Sequence, residues 1–215
     1  MCIRDRLRDK PEDAELVDYC KALQASLAKQ TALGEPVRAL LDLKPAKAAT
    51  KRWGWVKKGA PIIVEVGPRD MAGGNVSVVR RDRLYREDGK LDSAIVTRDT
   101  FVEQAGAMLE DIQVALHKEA SERLKASISP VDDWAGVEAM FADSAAKPGW
   151  ADVAWSRPTG AELDKVVERL KALKLTIRNA PMGQTGHPGA PCIFTGGPAV
   201  ERCLLYTSPS PRDKR

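Results

Sequence analysis

The chain has 215 residues, of which 43% are hydrophobic and 30% are charged, and its formal net charge is +4. These proportions are typical of globular proteins and exclude a chain that is disordered throughout. No run approaches the roughly 18 consecutive apolar residues of a membrane span, and the cysteines are too few for a disulfide scaffold. We therefore expect one large domain or two small ones in the reducing cytoplasm, with no membrane as a partner.

The two ends of the chain resemble a translated sequencing adapter. Residues 1–5 back-translate to a string whose reverse complement, in another frame, encodes Cys-Leu-Leu-Tyr-Thr, the sequence of residues 203–207. The Ser/Pro-rich residues that follow resemble the rest of such an adapter, although an ordinary frayed terminus has a similar composition. We expect residues 1–6 and 203–215 to be adapter-derived tails that are not part of the natural protein. The remainder is nearly neutral.

Apolar periodicity and turn residues predict alternating helices and strands in the first half of the chain. The predicted elements are, in order, a helix over 11–33 that ends at Gly34, a strand over 37–43, a helix over 48–58, and strands over 61–66, 75–81 and 94–96. Residues 83–93 are polar and are expected to form a loop. Thr100 and Glu103 fit a capping box, which predicts that the longest helix starts there and continues to about Lys125.

A break at residues 127–131 predicts a domain boundary, and a smaller α/β unit follows it. Its predicted elements are a helix over 132–146, a strand over 151–155, a helix that a second capping box starts at Thr159, a strand over 175–178, a Gly/Pro-rich loop over 182–191, and the start of a last strand at 192–194.

Catalytic signals are poor. His117 lies in the middle of the long predicted helix, and His187 lies in a loop. Neither has an evident nucleophile with an orienting carboxylate, and the glycine-rich stretches lack the spacing that cradles phosphates. We therefore expect no catalytic residue in this chain.

Positive charge is concentrated between Lys47 and Arg86. Ten basic residues in this stretch face only three acidic ones, Glu65, Asp70 and Asp82. Such a block on a folded surface favours phosphates, because neutralising them releases condensed counterions. A merely solvated face is the alternative on charge alone.

The most distinctive sequence lies within the same block. It reads KRWGWVKKGAP at residues 51–61, VEVGPRD at 64–70 and GGNVSVVRRD at 73–82. This order resembles the anticodon-binding domain of prolyl-tRNA synthetases, which has a Trp-containing helix ending in Lys-Gly, a strand, a Gly-Pro-Arg-Asp turn and a strand ending in Arg-Arg-Asp. The long helix and small α/β unit after Thr100 resemble the C-terminal extension of the eukaryote-like branch of that family.

The resemblance covers residues 7–202 and implies an α/β fold. A mixed-sheet anticodon-binding domain is expected over 7–100, a long connecting helix over 101–128, and a smaller α/β C-terminal extension over 129–202. The cuts at both ends would remove the first strand of the anticodon-binding domain and the final strand of the extension. We therefore expect both sheets to show unpaired edges.

The resemblance also implies which residues bind RNA. Anticodon bases are unstacked, so that their edges are open to hydrogen bonding. In this family, charged residues near the Gly-Pro-Arg-Asp turn read the guanines of the proline anticodon. Glu65 is expected to accept from a guanine edge, although a glutamate that faces the first helix is the alternative. Arg69 would donate a fork to guanine or phosphate, and Asp70 would read a guanine edge or merely cap the loop.

Lys57, Lys58, Arg80 and Arg81 are expected to contact the tRNA backbone, and the whole stretch would form one cationic platform. In many relatives a glutamate follows the tryptophan of the helix and an arginine precedes the strand glutamate. Val56 and Ile63 occupy the nearest positions here. This difference shifts base reading onto Arg69 and Asp70.

The extension provides a test for a metal. Zinc-containing relatives close a tetrahedral site with four cysteines, at positions that read Ser156, Ala161, Cys192 and Thr195 here. One thiol does not hold structural zinc, so we expect no metal.

By resemblance, the parent protein is a proline–tRNA ligase, which forms prolyl-adenylate from ATP and transfers proline to tRNA(Pro). The class II catalytic motifs are absent from this chain, so ATP and Mg²⁺ are expected in a missing catalytic domain, with no cofactor here. The parent is expected to be a homodimer, and this chain alone should bind tRNA weakly and acylate nothing. A stand-alone RNA-binding or adaptor module with the same type of fold, and a structural α/β domain, are the alternatives.

Overall fold

The computed structural model describes residues 2–5, 12–44, 46–143, 148–184 and 188–207. The chain divides into two compact units, residues 1–119 and 120–215. In these described ranges, no helix is both long enough and apolar enough to cross a membrane. The division falls inside the long helix, so the domain bounds expected from the sequence remain a prediction.

The N-terminal unit is built on a five-stranded mixed sheet with the strand order β4-β1-β5-β6-β7. Its elements are β1 (Cys2–Asp5), α1 (Glu12–Leu27), β2 (Thr31–Ala32), β3 (Glu35–Pro36), β4 (Leu40–Asp42), α2 (Ala48–Lys57), β5 (Ile62–Val66), α3 (Pro68–Ala72), β6 (Asn75–Arg80), β7 (Ser93–Thr97) and the first part of α4 (Arg98–Ala126). Strand β1 is parallel to β4 and β5, whereas β5, β6 and β7 are antiparallel neighbours.

Helices lie on both faces of this sheet. Ile62, Val64 and Val66 of β5 belong to a buried cluster that includes side chains from α1 and α4. Because successive side chains of a strand alternate between faces, Ile63 and Glu65 point the other way, toward α2. Strand β5 is therefore buried along its whole length, and its two faces meet different helices.

Helix α4 packs closely against the β2–β3 hairpin. A β-carbon at Gly106 would overlap the carbonyl oxygen of Thr31. The backbone N–H of Leu33 also donates to Glu110 Oε1 at 3.1 Å. The hairpin thus sits on α4 at a position where only glycine leaves enough room.

The C-terminal unit has a four-stranded sheet with the strand order β10-β11-β9-β8. Its elements are β8 (Ile128–Pro130), α5 (Trp134–Phe141), β9 (Trp150–Trp155), α6 (Ala161–Ala172), β10 (Leu175–Asn179) and β11 (Glu201–Thr207). Strands β8 and β9 are parallel and the other pairs are antiparallel. Val137, Val153, Val166 and Leu205 are among the side chains that form its core.

The expected fold class is confirmed: a mixed-sheet α/β unit, a long helix, and a smaller α/β unit follow one another. Both capping boxes are wrong. Helix α4 begins at Arg98, and Thr97 Oγ1 accepts from the Thr100 N–H at 3.3 Å. Helix α6 begins at Ala161 after Gly160, whose φ of +57° suits glycine better than other residues.

Other differences lie near turns. Helix α1 ends at Leu27, because residues 31–36 form the hairpin instead of another helical turn. The Gly-Pro-Arg-Asp turn opens the short helix α3. Residues 193–195 form a turn, in which the Gly196 N–H donates to the Cys192 carbonyl, and the last strand begins only at Glu201.

The expectation that two strands are missing is wrong. Cys2–Asp5 pairs with both β4 and β5, and Glu201–Thr207 pairs with both β9 and β10. Main-chain hydrogen bonding does not depend on residue type, and the buried Cys203, Leu204 and Leu205 supply the apolar side chains that the second sheet needs. The adapter origin of the tails remains a prediction; residues 1, 6 and 208–215 lie outside the described residues.

Candidate nucleic-acid interface

Helix α2, strand β5 and helix α3 position most of the predicted site residues. Gly59, with φ of +88°, follows the C-cap of α2, and the chain then enters β5 through Pro61. At the other end of β5, Gly67 is the N-cap of α3, and its N–H donates to Asp70 Oδ2 at 2.8 Å. Asp70 therefore caps the turn, which is one of the two roles expected for it.

Arg69 is exposed on the turn beside Asp70. Within the described ranges, its guanidinium makes no hydrogen bond or ion pair. A guanidinium presents a planar set of N–H donors. Arg69 is thus available for guanine acceptor atoms or for phosphate.

Glu65 faces α2 and is only 8% exposed. Its Oε1 accepts from Arg52 Nε at 2.7 Å, and Arg52 Nη2 lies at an ion-pair distance of 2.7 Å from the same oxygen. The alternative in which Glu65 faces the first helix is wrong, because α1 packs on the opposite face of β5. The structure thus joins Glu65 to an arginine that the sequence analysis did not single out as a site residue.

The C-terminal end of α2 presents two lysines. Lys57 is exposed, and Lys58 Nζ lies 4.4 Å from the centre of the Trp55 ring. Trp55 is turned inward, where its indole N–H donates to Asp42 Oδ2 at 2.7 Å. Burial would raise the pKa of Asp42, but the hydrogen bonds from Trp55 and the Lys44 backbone outweigh it and lower the pKa. Trp55 thereby anchors α2 to the end of β4.

Arg80 and Arg81 emerge on opposite faces of the sheet. Arg80 forms a fork with Asp82, at 3.0 and 2.8 Å, and its Nη2 also lies 2.7 Å from Asp111 of α4. The hydrogen bonds that Arg80 donates to Asp82 keep the pKa of Arg80 above its ordinary value despite burial. Arg81 Nη1 donates instead to the Val56 carbonyl of α2 at 2.6 Å. The two arginines therefore do not form one phosphate-binding pair.

The predicted site residues form two groups rather than one platform. Lys57, Lys58 and Arg81 lie around the start of β5, whereas Arg69 and Asp70 follow its end. Five strand residues, at about 3.3 Å each, separate the groups by roughly 16 Å. The expected single cationic platform is therefore wrong, and Arg80 lies on the other face of the sheet.

Sequence reasoning missed an exposed aromatic pair. The Trp53 and Tyr85 ring centres lie 6.3 Å apart, and the rings are inclined by 35°. A signal for this pair was present in the sequence. Trp53 and Trp55 are two residues apart on a helix, so their side chains point about 200° apart and only one of them can face the sheet. The contact with Tyr85 depends on the loop that follows β6.

The extension brings together three of the four positions compared with zinc ligands. Ser156 Oγ and Thr195 Oγ1 lie 3.2 Å apart. Both hydroxyls hydrogen-bond with the Cys192 thiol, and these bonds outweigh burial and lower its pKa. Ala161 opens α6 and has no ligand atom. Two neutral hydroxyls and one thiol do not fit a structural zinc ion.

Chemistry-bearing groups are sparse elsewhere. His117 is exposed on α4, and His187 lies outside the described residues. Across the parts of the chain that the structure describes, no three His, Cys, Asp or Glu side chains are grouped as metal ligands.

Comparison with known proteins shows what the chain is similar to. A family model described as an anticodon binding domain matches residues 5–97, which correspond to the sheet unit up to the end of β7. A curated relative from Sphingomonas elodea named proline–tRNA ligase is 66% identical over 200 residues, which cover 93% of this chain and 39% of the relative. Over nearly its whole length, the chain is thus similar to part of a protein named proline–tRNA ligase.

Two further relatives, also named proline–tRNA ligase, are similar to the chain. The relative from Sphingopyxis alaskensis is 58% identical over 93% of the chain, and that from Novosphingobium aromaticivorans is 51% identical over 94%. The chain spans 37% and 39% of their respective lengths. It therefore corresponds to about two fifths of each prolyl-tRNA synthetase that it matches.

Proposed function

We propose that this chain is the tRNA(Pro) anticodon-binding and C-terminal portion of a proline–tRNA ligase. The identity of 66% over 200 residues to a protein of that name carries the proposal. The match of residues 5–97 to anticodon-binding domains supports RNA binding by the sheet unit, and it does not favour a purely structural domain.

Arg69 and Asp70 are the proposed base-reading residues. Arg69 is exposed, and its guanidinium has donors in the geometry that matches guanine O6 and N7. Asp70 uses Oδ2 to cap α3, and among the described residues its Oδ1 accepts no hydrogen bond. A carboxylate held in this way accepts from the N1–H and N2–H donors of guanine.

Glu65 has a different proposed role from the one that the sequence suggested. Its hydrogen bonds with Arg52 favour a positioning role, in which Glu65 orients that guanidinium beside the base-reading turn. Arg52 keeps a side-chain exposure of 21%, which leaves part of the group accessible to RNA.

The proposed phosphate contacts are Lys57, Lys58 and Arg81, around the start of β5. Arg80 is better assigned to linking the sheet to α4, since Asp82 and Asp111 occupy its donors.

The remaining properties follow from the parent enzyme. We propose that it uses ATP and Mg²⁺ in a catalytic domain outside this chain, acts as a homodimer in the cytoplasm, and binds no zinc in the extension. This chain alone then binds tRNA without acylating it.

The proposal is tested by titrating the full chain with proline tRNA and with the same tRNA carrying adenines in place of its anticodon guanines. We expect the chain to prefer the native anticodon. Arg69→Ala and Asp70→Ala should each lower that preference by about 5- to 150-fold, the effect of about 1–3 kcal/mol per base contact.

Lys165→Ala is the matched control, because Lys165 is an exposed cation on α6 of the other unit. It should leave the preference unchanged. Equal affinity of the unsubstituted chain for both tRNAs, with a steep dependence on salt, would contradict base reading and leave only phosphate contacts.

A further inference from the structure

Trp53 and Tyr85 form an exposed aromatic pair on the N-terminal unit. Trp53 is 46% exposed and Tyr85 is 50% exposed, although their rings contact one another. Large aromatic side chains bury much apolar area when they pack in a core, so two adjacent exposed rings point to a binding surface.

Neither ring is needed to hold α2 on the sheet. Trp55, two residues after Trp53, makes the inward contact through its hydrogen bond with Asp42. Lys51 adds a second attachment, since its Nζ donates to the Asp42 carbonyl at 2.9 Å. Trp53 therefore points away from these anchors, and its partner Tyr85 comes from the loop after β6.

The charge around the pair favours a polyanion. Lys57 lies one helical turn after Trp53, on the same face of α2, and is exposed. Among the described residues, Lys57 makes no ion pair. Two acidic side chains of the neighbouring loop are engaged, since Asp92 pairs with Arg86 and Asp88 pairs with Lys90. Glu87 of the same loop is exposed and makes no ion pair among the described residues.

We infer that Trp53 and Tyr85 form a stacking platform for one unpaired nucleobase of bound RNA, with Lys57 contacting the adjacent phosphate. The inference rests on the proposed function and deepens it. Every base has a π-face, so that stacking tolerates any sequence. The platform would therefore contribute affinity, whereas the turn at Arg69 and Asp70 selects the bases.

The test compares Trp53→Ala and Tyr85→Ala with the unsubstituted chain in titrations of proline tRNA. Each variant should bind the native and the adenine-substituted anticodon about 5- to 150-fold more weakly, with the preference between them unchanged. Trp53→Phe should recover most of the lost affinity. Ile95→Ala, which removes a side chain that is 68% exposed on β7, is the control and should have no effect.

A salt series and an abasic scan give independent readouts. Trp53→Ala should keep the slope of log K against log salt, whereas Lys57→Ala should reduce its magnitude by about one. Removing the base of one anticodon-loop nucleotide should abolish the effect of Trp53→Ala, and that nucleotide is the stacked one.

The outcomes separate the two proposals. Selective binding of proline tRNA that Trp53→Ala and Tyr85→Ala leave unchanged would overturn the platform and keep the proposed function. Weaker binding that no abasic substitution relieves would also overturn it and favour a general effect on the surface. Absence of any tRNA binding by the unsubstituted chain would contradict both.

Discussion

Substituting Leu205 tests whether β11 belongs to the folded core. Leu205 is fully buried and lies between Ala151 of β9 and Ile177 of β10. Leu205→Ala removes buried apolar atoms and leaves a cavity, which lowers the free energy of unfolding by about 2–5 kcal/mol. Since whole domains are stable by roughly 5–15 kcal/mol, we expect the C-terminal unit to be severely destabilised.

Urea unfolding followed by tryptophan fluorescence measures this effect, because Trp134, Trp150 and Trp155 report on the C-terminal unit. Val200→Ala is the control: Val200 precedes β11 and is 42% exposed, so the change should stay within about 0.5 kcal/mol. Equally small effects of both substitutions would refute the placement of β11 and favour a dispensable tail over residues 203–215.

Two further predictions concern charged pairs in the N-terminal unit. Arg52→Ala removes the guanidinium that pairs with Glu65, and we expect the free energy of unfolding to fall by about 3 kcal/mol in urea titrations. A change below about 0.5 kcal/mol would contradict a structural role for the pair. Hydrogen bonds from Arg80 lower the pKa of Asp82 despite burial. The ionised Asp82 therefore stabilises the fold fully above the pKa of the unfolded chain, about 3.9. This stabilisation is lost as the pH falls through the lower pKa of the folded state. Asp82→Asn should therefore destabilise the unit near neutral pH and progressively less in acid, and a difference from the unsubstituted chain that does not vary with pH would disprove this linkage.

Much of the architecture around the interface was predictable because its strands have strong local signals. The apolar runs at 61–66 and 75–81 correspond to β5 and β6 within one residue at each end. The opposite directions of Arg80 and Arg81 were also available from the sequence, since neighbouring strand residues alternate between faces. The expectation of a joint phosphate contact overlooked that alternation.

Other features depend on contacts that the sequence does not encode locally. Glu65 has the same strand context whether it binds a base or Arg52, and only the position of α2 over β5 decides. The contact between Trp53 and Tyr85 requires the path of a polar loop with little pattern of its own. The side chain of Thr97 accepts from the first turn of α4, whereas Thr100 lies inside that turn, because β7 leads directly into the helix.

Gly106 has a consequence for attempts to stabilise this molecule. Glycine inside a helix is less favourable than alanine by about 1 kcal/mol, so a ranking of helix positions by intrinsic preference would replace Gly106 first. The added methyl group would instead collide with the main chain of the crossing hairpin at Thr31. The weakest helix former in α4 is thus the residue that engineering should leave alone.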